Sequence, residues 1–308
     1  MNRRNFIQHA AFSSAYVYFL SSLFSSCKSK SLLSIQNQSG GPYTFKEIRN
    51  GVGYFEEKGG TIGWSVHKTG ISIVDTQFPD QSNNLLSEIN KYNPDQKINL
   101  LINTHHHSDH TSGNIVFKDR LIHHVAHENA IRNYTRVATQ QKTLDKALIP
   151  STSFLDKISY NVGNENVQLM YFGPAHTNGD TIIHYENANV THLGDLIFNR
   201  RFPYIDKSSG AHIGSWIDVL DKIQTFFTKE TIFIFGHKRD GFEVTGNFDD
   251  IKAFQNYLEK LLEIGQKYVN QGKTIEEMKA EINVIPGAEE WQGDGIHRSL
   301  DAVFMELN

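Results

Sequence analysis

The sequence predicts an α/β fold whose apolar strands end in polar clusters along one edge of an open sheet. Three observations lead there. The apolar run Ile98–Ile102 reads as a buried strand and leads into Thr104-His105-His106-His107-Ser108-Asp109-His110. Residues 167–172 have strand character and run into Gly173-Pro174-Ala175-His176. The run at 231–235 is apolar and closes on Gly236-His237. Imidazole and carboxylate are poor core material but good ligands for zinc, iron or manganese, so these strand ends are candidate metal sites.

Taken from the start, the 308 residues suit one large domain with extensions. A formal net charge of -4 argues against a nucleic-acid partner. Arg3-Arg4 precedes an apolar stretch at 10–24 that is too short to span a bilayer comfortably. A charged start followed by such a stretch reads as an export signal, and the paired arginines resemble the twin-arginine (Tat) type. Cys27 is the single cysteine, so an intrachain disulfide is excluded. It follows Phe24-Ser25-Ser26 and resembles the lipidated cysteine of a bacterial lipobox. Residues 1–27 are therefore expected to be a signal with lipobox, and residues 28–42, rich in Ser, Gln and Gly, a flexible tether. The mature chain is expected on the periplasmic side of a bacterium, held to the membrane through a lipid on Cys27.

The body begins at residue 43. Residues 61–66 and 71–74 flank Lys68-Thr69-Gly70 and predict a hairpin. Lys58-Gly59-Gly60 is an earlier turn. Asp75 ends the second strand, either as a hydrogen-bond partner of the site or as a turn carboxylate. Ser82 is a candidate cap for a helix reaching Lys91, with Leu85, Leu86 and Ile89 on one face. A strand at 121–125 and a helix at 126–138 follow, and residues 141–154 are a candidate cover for the site. Residues 181–185 and 190–193 read as a hairpin ending in Gly194-Asp195. Residues 196–212 form a long loop, 213–227 a helix. Beyond 250, Ile251, Phe254, Leu258, Leu261 and Leu262 fall at helical spacing, and 274–281 and 296–307 predict two further helices. This C-terminal part reads as a packing appendage.

The cluster carries the chemistry. His105 and His107 face one way in an extended chain, whereas Asp109 and His110 lie where a turn can aim them at a second ion. His105-x-His107-x-Asp109-His110 resembles the His-x-His-x-Asp-His signature of the metallo-β-lactamase superfamily. The His176 segment resembles that family's Gly-His-Thr segment, with Ala175 where glycine is usual. Gly194-Asp195 is similar to its second carboxylate motif, and Gly236-His237 to its last ligand motif. The likeness spans 43–250 and implies an αββα sandwich, with 251–308 as a helical C-terminal extension of the same domain.

By that resemblance His105, His107 and His176 would hold one ion, Asp109, His110 and His237 the second, and Asp195 would bridge them. Two zinc ions are expected, with iron or manganese compatible with all-N/O ligation. The implied reaction is attack of a metal-bound hydroxide on an amide, lactone, ester or thioester carbonyl, with Asp109 orienting it and passing a proton to the leaving group. B1-type β-lactamases carry cysteine where this chain has Asp195; it departs from them toward the glyoxalase II and lactonase pattern. The alternatives are an iron-dependent persulfide dioxygenase of the same fold and a metal-binding lipoprotein without turnover.

The remaining histidines read mostly as structural. His106 should point away from His105 and His107, and His67, His184 and His192 sit in strand patterns. The loop at 196–212 is expected to select a small, anionic substrate through Asn199, Arg201 and Tyr204, with His212 a further contact.

Overall fold

The computed structural model describes residue 37 and residues 41–308. The expected export signal, Cys27 and most of the expected tether lie outside the described residues. Among the described residues, no helix is long and apolar enough to cross a membrane.

Two sheets face each other. The first joins β1 (Thr44–Arg49), β2 (Val52–Glu56), β3 (Ile62–His67), β4 (Gly70–Val74), β5 (Ile98–Ile102), β6 (Leu121–His127) and β7 (Thr152–Phe154) in chain order. Strands β1 to β4 are antiparallel neighbours; β4 to β7 run parallel. The second sheet contains β8 (Lys157–Val162), β9 (Glu165–Met170), β10 (Ile182–Tyr185), β11 (Val190–His192), β13 (Ile232–Ile234) and β15 (Thr245–Gly246). A short parallel pair, β12 (Phe198–Asn199) with β14 (His237–Lys238), stands beside it.

Strand alternation divides the buried residues between layers. Val74, Leu100, Ile102 and Val125 of the first sheet meet Leu169, Ile183, Tyr185 and Ile234 of the second in one apolar cluster between the sheets. A second cluster covers the other face of the second sheet. There Ile182 and Phe233 pack with Trp216, Leu220 and Ile223 of α4 (Ile213–Phe226) and with Phe254, Leu258 and Leu261 of α5 (Phe248–Asn270). Leu300 and Val303 of α7 (Ile296–Leu307) and Met278 of α6 (Ile275–Glu281) join the same cluster. The fold is thus an α/β sandwich of the αββα type whose C-terminal helices share the main core. The remaining helices are α1 (Pro79–Asn90), the single turn α2 (Ser108–Thr111) and α3 (Glu128–Gln140).

Several elements differ from the sequence reading for local reasons. Helix α1 starts at Pro79, where a missing N–H costs nothing, so Ser82 lies inside it and donates to the Thr76 carbonyl at 2.6 Å. Strand β6 runs on to His127, whose Nδ1 accepts the Asn129 N–H and starts α3 two residues late. Strand β8 at the sheet edge was not anticipated, although its residues alternate: Lys157, Ser159 and Asn161 face solvent and Ile158, Tyr160 and Val162 pack inward. The expected boundary between 250 and 251 falls inside α5. Asp250 is the third residue of that helix and completes a capping box with Asn247.

Glu165 is buried at the β8–β9 turn and accepts the Ala188 N–H at 3.1 Å. Burial pushes its carboxyl up to about 7, against the pull of that hydrogen bond. A carboxyl raised in the fold contributes stability below its unfolded value, and this is lost as pH rises through the folded one. Glu165→Gln, which cannot ionise, should therefore lose less melting temperature than the wild type between pH 5 and pH 8. Parallel melting curves for the two proteins across that range would refute this.

Candidate metal centre

The ends of β5, β11 and β13 and the loop after β9 bring seven ligand-type side chains together. Beyond β5 the chain bends at Thr104 and His105, is extended at His107 and then turns into α2, which carries Asp109 and His110. His176 follows β9. Asp195 follows β11 and His237 follows β13, and these two strands are parallel neighbours. The β12–β14 pair sets Phe198 opposite His237.

The donors form two groups. His107 Nδ1 lies 3.0 Å from His105 Nε2 and 3.0 Å from His176 Nε2. His237 Nε2 lies 3.2 Å, and His110 Nε2 3.8 Å, from Asp109 Oδ2. Asp195 touches both groups: Oδ1 is 3.1 Å from His110 Nε2, and Oδ2 is 3.4 Å from His237 Nε2, 3.4 Å from His176 Nε2 and 3.8 Å from His105 Nε2. His105, His107, His176 and Asp195, and likewise Asp109, His110 and His237, have the spacing of groups that could hold an ion.

Hydrogen bonds behind the ligands fix which nitrogen faces the centre. Thr104 Oγ1 donates to Asp75 Oδ2, so it accepts the His105 Nδ1–H at 3.0 Å and leaves the Nε2 lone pair inward. Asp75 Oδ2 also accepts from His110 Nδ1 at 2.8 Å, which frees His110 Nε2. Asp206 Oδ2 accepts from His107 Nε2 at 2.9 Å, which frees His107 Nδ1. The inward lone pairs of His105 and His107, 3.0 Å apart, cannot hydrogen-bond one another but can share a cation, and His110 offers its lone pair to the second group. Tetrahedral zinc with bonds of ~2.0–2.1 Å would set its nitrogens about 3.3 Å apart. His110 Nε2 and Asp195 Oδ1 are buried and without a hydrogen-bond partner, as expected of ligands. The residues present fit a metal pair.

Without cations the centre is electrostatically divided. Burial drives the imidazoles of His105 and His176 down, the latter to about 3. Burial also opposes charge on His110 and His237, but Asp195 and Asp109 outweigh it; His237 is raised to about 9. Burial works against the Asp195 carboxylate too, and His237 and His110 hold it well below the usual range.

Close approach demands glycine at two places. A Cβ on Gly60 would collide with the His110 ring, and one on Gly236 with Asp195 Oδ1. Asp75 itself sits at φ 62, an unfavourable conformation held by its hydrogen bonds to Thr104 and His110.

A cavity of about 790 Å³ opens over the centre, lined by His107, Asp109, Asp195 and His237 together with Arg201, Tyr204 and Arg298. Gln141, Thr143, Lys146 and Ala147 also line it, so part of 141–154 does border the site. Two expected substrate contacts lie elsewhere. His212 is the N-cap of α4, accepting the Ser215 N–H at 3.0 Å, and is absent from the lining. Its position just before a helix was the signal for a cap. Asn199 is buried, donates to the Glu243 carbonyl and accepts from Arg200. Arg200 is held by Asp250. Asp206 and Arg298 escaped the sequence reading, because a lone acid in an irregular loop and one cation on a helix carry no pattern. His106 contacts Ser209 Oγ at 3.1 Å and does not join the seven. His184 is hydrogen-bonded to Thr191 of the same sheet, and His192 to the Thr61 carbonyl just ahead of β3.

The metallo-beta-lactamase superfamily profile matches residues 62–237, more than half of the chain. The chain belongs to the metallo-beta-lactamase superfamily, and the centre is a metal-binding one. Among curated proteins it is 24% identical over 132 residues to the 2,4-dinitroanisole O-demethylase subunit alpha of Nocardioides sp. (strain JS1661), covering 42% of this chain and 39% of that one. Among solved structures it is similar to the stereoselective inverting sec-alkylsulfatase Pisa1 from Pseudomonas sp. (TM-score 0.67, 13% identity, 85% of this chain, 49% of that one). It is also similar to a metallo-beta-lactamase from Pontibacter korlensis (TM-score 0.53, 15% identity, 73% and 98%). The chain thus spans about half, or less, of the demethylase subunit and the alkylsulfatase.

Removing Asp195 would take away the carboxylate whose oxygens reach ligand nitrogens of both groups. Asp195→Ala should bind fewer metal ions per chain than the wild type, read by elemental analysis after dialysis, and lose at least about two orders of magnitude in turnover. Full metal content with undiminished activity would show that Asp195 does not bridge.

Proposed function

We propose that this protein is a metal-dependent hydrolase that cleaves an amide, lactone, ester or thioester, with a pair of zinc ions as its resident cations. The observation that carries this reading is Asp195, whose two oxygens lie 3.1–3.8 Å from ligand nitrogens of both groups. His105, His107 and His176 would hold one cation and Asp109, His110 and His237 the other, with Asp195 shared. Cations bound there would supply an acidified water and polarise the oxygen of the scissile group.

The chain's own residues do the rest. Asp109 is 31% exposed at its side chain and borders the cavity, so its carboxylate can reach both the nucleophilic water and the leaving group. It would take the proton of the first and return it to the second. Phe198, stacked on His237 at 5.2 Å, and Phe202 line the cavity and limit water near the reacting atoms. Tyr204, with its ring centroid 5.4 Å from that of His107, faces the same space.

The names of the two larger relatives, an O-demethylase subunit and a sec-alkylsulfatase, define the rivals to be tested. Protein stripped of metal and reloaded with zinc should hydrolyse at least one of nitrocefin, a lactone, a thioester or an activated ester, and the stripped form none. Turnover of only an aryl methyl ether or a secondary alkyl sulfate would overturn the carbonyl reading. One iron per chain, with no activity on zinc loading, would point instead to the dioxygenase chemistry that the same ligands could support.

We also propose that the mature chain is exported and lipid-anchored at Cys27, on the strength of the motif before it. Cys27→Ser should move the protein from the membrane fraction to the soluble one. A wild-type protein that is soluble and begins beyond residue 27 would defeat this.

A further inference from the structure

One group of candidate ligands stands outside the metal pair. His106, His107 and Asp206 also have the spacing of groups that could hold an ion. Asp206 Oδ2 lies 2.9 Å from His107 Nε2 and 3.6 Å from His106 Nε2, on either side of the ~3.3 Å that tetrahedral zinc sets between its donors. Asp206 Oδ1 is held by the Ser208 hydroxyl at 2.6 Å and the Ser209 N–H at 3.2 Å, which leaves Oδ2 for the two rings. Ser209 Oγ accepts from Arg136 at 2.9 Å and keeps a hydrogen for His106 Nε2, 3.1 Å away, so that nitrogen can carry the ring's lone pair. His106 Nδ1 is buried and has no hydrogen-bond partner. The fold thus uses only half of the His106 ring, which is unusual for a buried structural histidine.

The two groups of the metal pair differ in how they meet the cavity. Asp109 and His237 of the second group line it, whereas of the three histidines in the first group only His107 does. The side chains of His105 and His176 are 1% and 0% exposed. His106, Asp206, Ser208 and Ser209 line the cavity beside His107, so they are the ligands a cation from solvent meets before the first group. His107 belongs to both places through different nitrogens: Nδ1 faces His105 and His176, and Nε2 faces Asp206. A neutral imidazole has one lone pair, so His107 serves one place at a time. Asp206 holds the proton on Nε2 in the resting protein. When a cation takes that position, a proton leaves Nε2 to the cavity water and one is bound at Nδ1, where His105 Nε2 accepts it at 3.0 Å. The reverse exchange turns the lone pair inward again, and the ring stays neutral throughout.

We propose that His106 and Asp206, with His107 as a shared ligand, form a cation entry site through which the first group is filled. This rests on the metal-pair reading above and not on the reaction. The site is built to let go: once His107 Nδ1 is engaged by the first group, only His106 and Asp206 remain, too few for a closed tetrahedral site. The second group needs no such site, because two of its own ligands already border the cavity.

The test uses metal-free full-length protein mixed with zinc in rising excess. Uptake is stopped with a chelator at successive times, and the zinc retained is counted by elemental analysis. The wild type should show two phases, one of which reaches a limiting rate as zinc rises, the mark of capture followed by transfer. His106→Leu should slow that phase about tenfold, leave the other within about twofold, and still finish with two zinc ions per chain. His106→Asn keeps a polar side chain beside Ser209 and guards against a packing defect; it should behave as His106→Leu does. Both phases slowed alike, wild-type uptake in His106→Asn, or fewer than two ions at the end in either variant would overturn the entry site. A wild type that finishes without two zinc ions would overturn the metal pair as well, whereas two ions with unaltered uptake in both variants would sink the entry site alone.

Discussion

The burial of the Asp195 carboxylate among imidazoles is the interaction on which the rest of the site depends. A carboxylate removed from water needs compensating positive charge. In the protein alone that charge must come from protons on His110 and His237, while His105 and His176 are driven neutral. Cations remove the conflict, because each imidazole can then stay neutral and offer its lone pair. The surrounding backbone is built around this arrangement. Gly60 and Gly236 permit contact distances that any side chain would forbid, and Asp75 accepts a left-handed conformation to reach both Thr104 and His110.

The hydrogen bonds behind the ligands do a different job from the ligands themselves. They select one nitrogen of each ring before any ion arrives. Asp75 serves His110 directly and His105 through Thr104, so one carboxylate orients ligands of both groups. Asp206 serves His107 from the loop that also carries Arg201 and Tyr204. This part of the cavity wall is therefore anchored on His107, one of the candidate ligands, and a shift of that loop would be felt there.

Much of this was legible in the sequence, for a physical reason. A buried strand advertises itself by an unbroken apolar run, and its end by an abrupt change to polar residues; Ile98–Ile102 followed by His105 is the clearest case. The three strand-terminal motifs and the hairpin ending in Asp195 were visible on those grounds. The partners behind the ligands were not. Asp206 is one carboxylate in an irregular loop, and only the chain's return to His107 gives it meaning. The misreading of His212 has the opposite cause: a polar ring at the end of a loop looked functional, whereas it satisfies the open N–H groups of α4. Edge strand β8 was missed although Ile158, Tyr160 and Val162 alternate with polar residues, because so short an alternation is a fainter signal than the unbroken apolar run of a central strand.

The C-terminal helices were read as a packing appendage, and most of their residues are that. Tyr257, Leu258 and Leu300 lie in the same core as Trp216 and Phe233, so these helices share the core that covers the second sheet. The same packing has a consequence at the surface. Burying Leu300 and Val303 of α7 fixes the rotation of that helix, and the rotation leaves Arg298, two residues before Leu300, on the cavity side. Glu306 ties α7 to the start of α4 through the Ile213 and Gly214 N–H groups and to the loop through Lys207, so the helix cannot slide without disturbing both. A side chain held in register by a core needs no pairing partner in the fold to keep its position. An unpaired arginine can therefore be presented to the cavity at a cost met by the packing of its helix, whereas the loop carrying Asp206 cannot change without reaching His107.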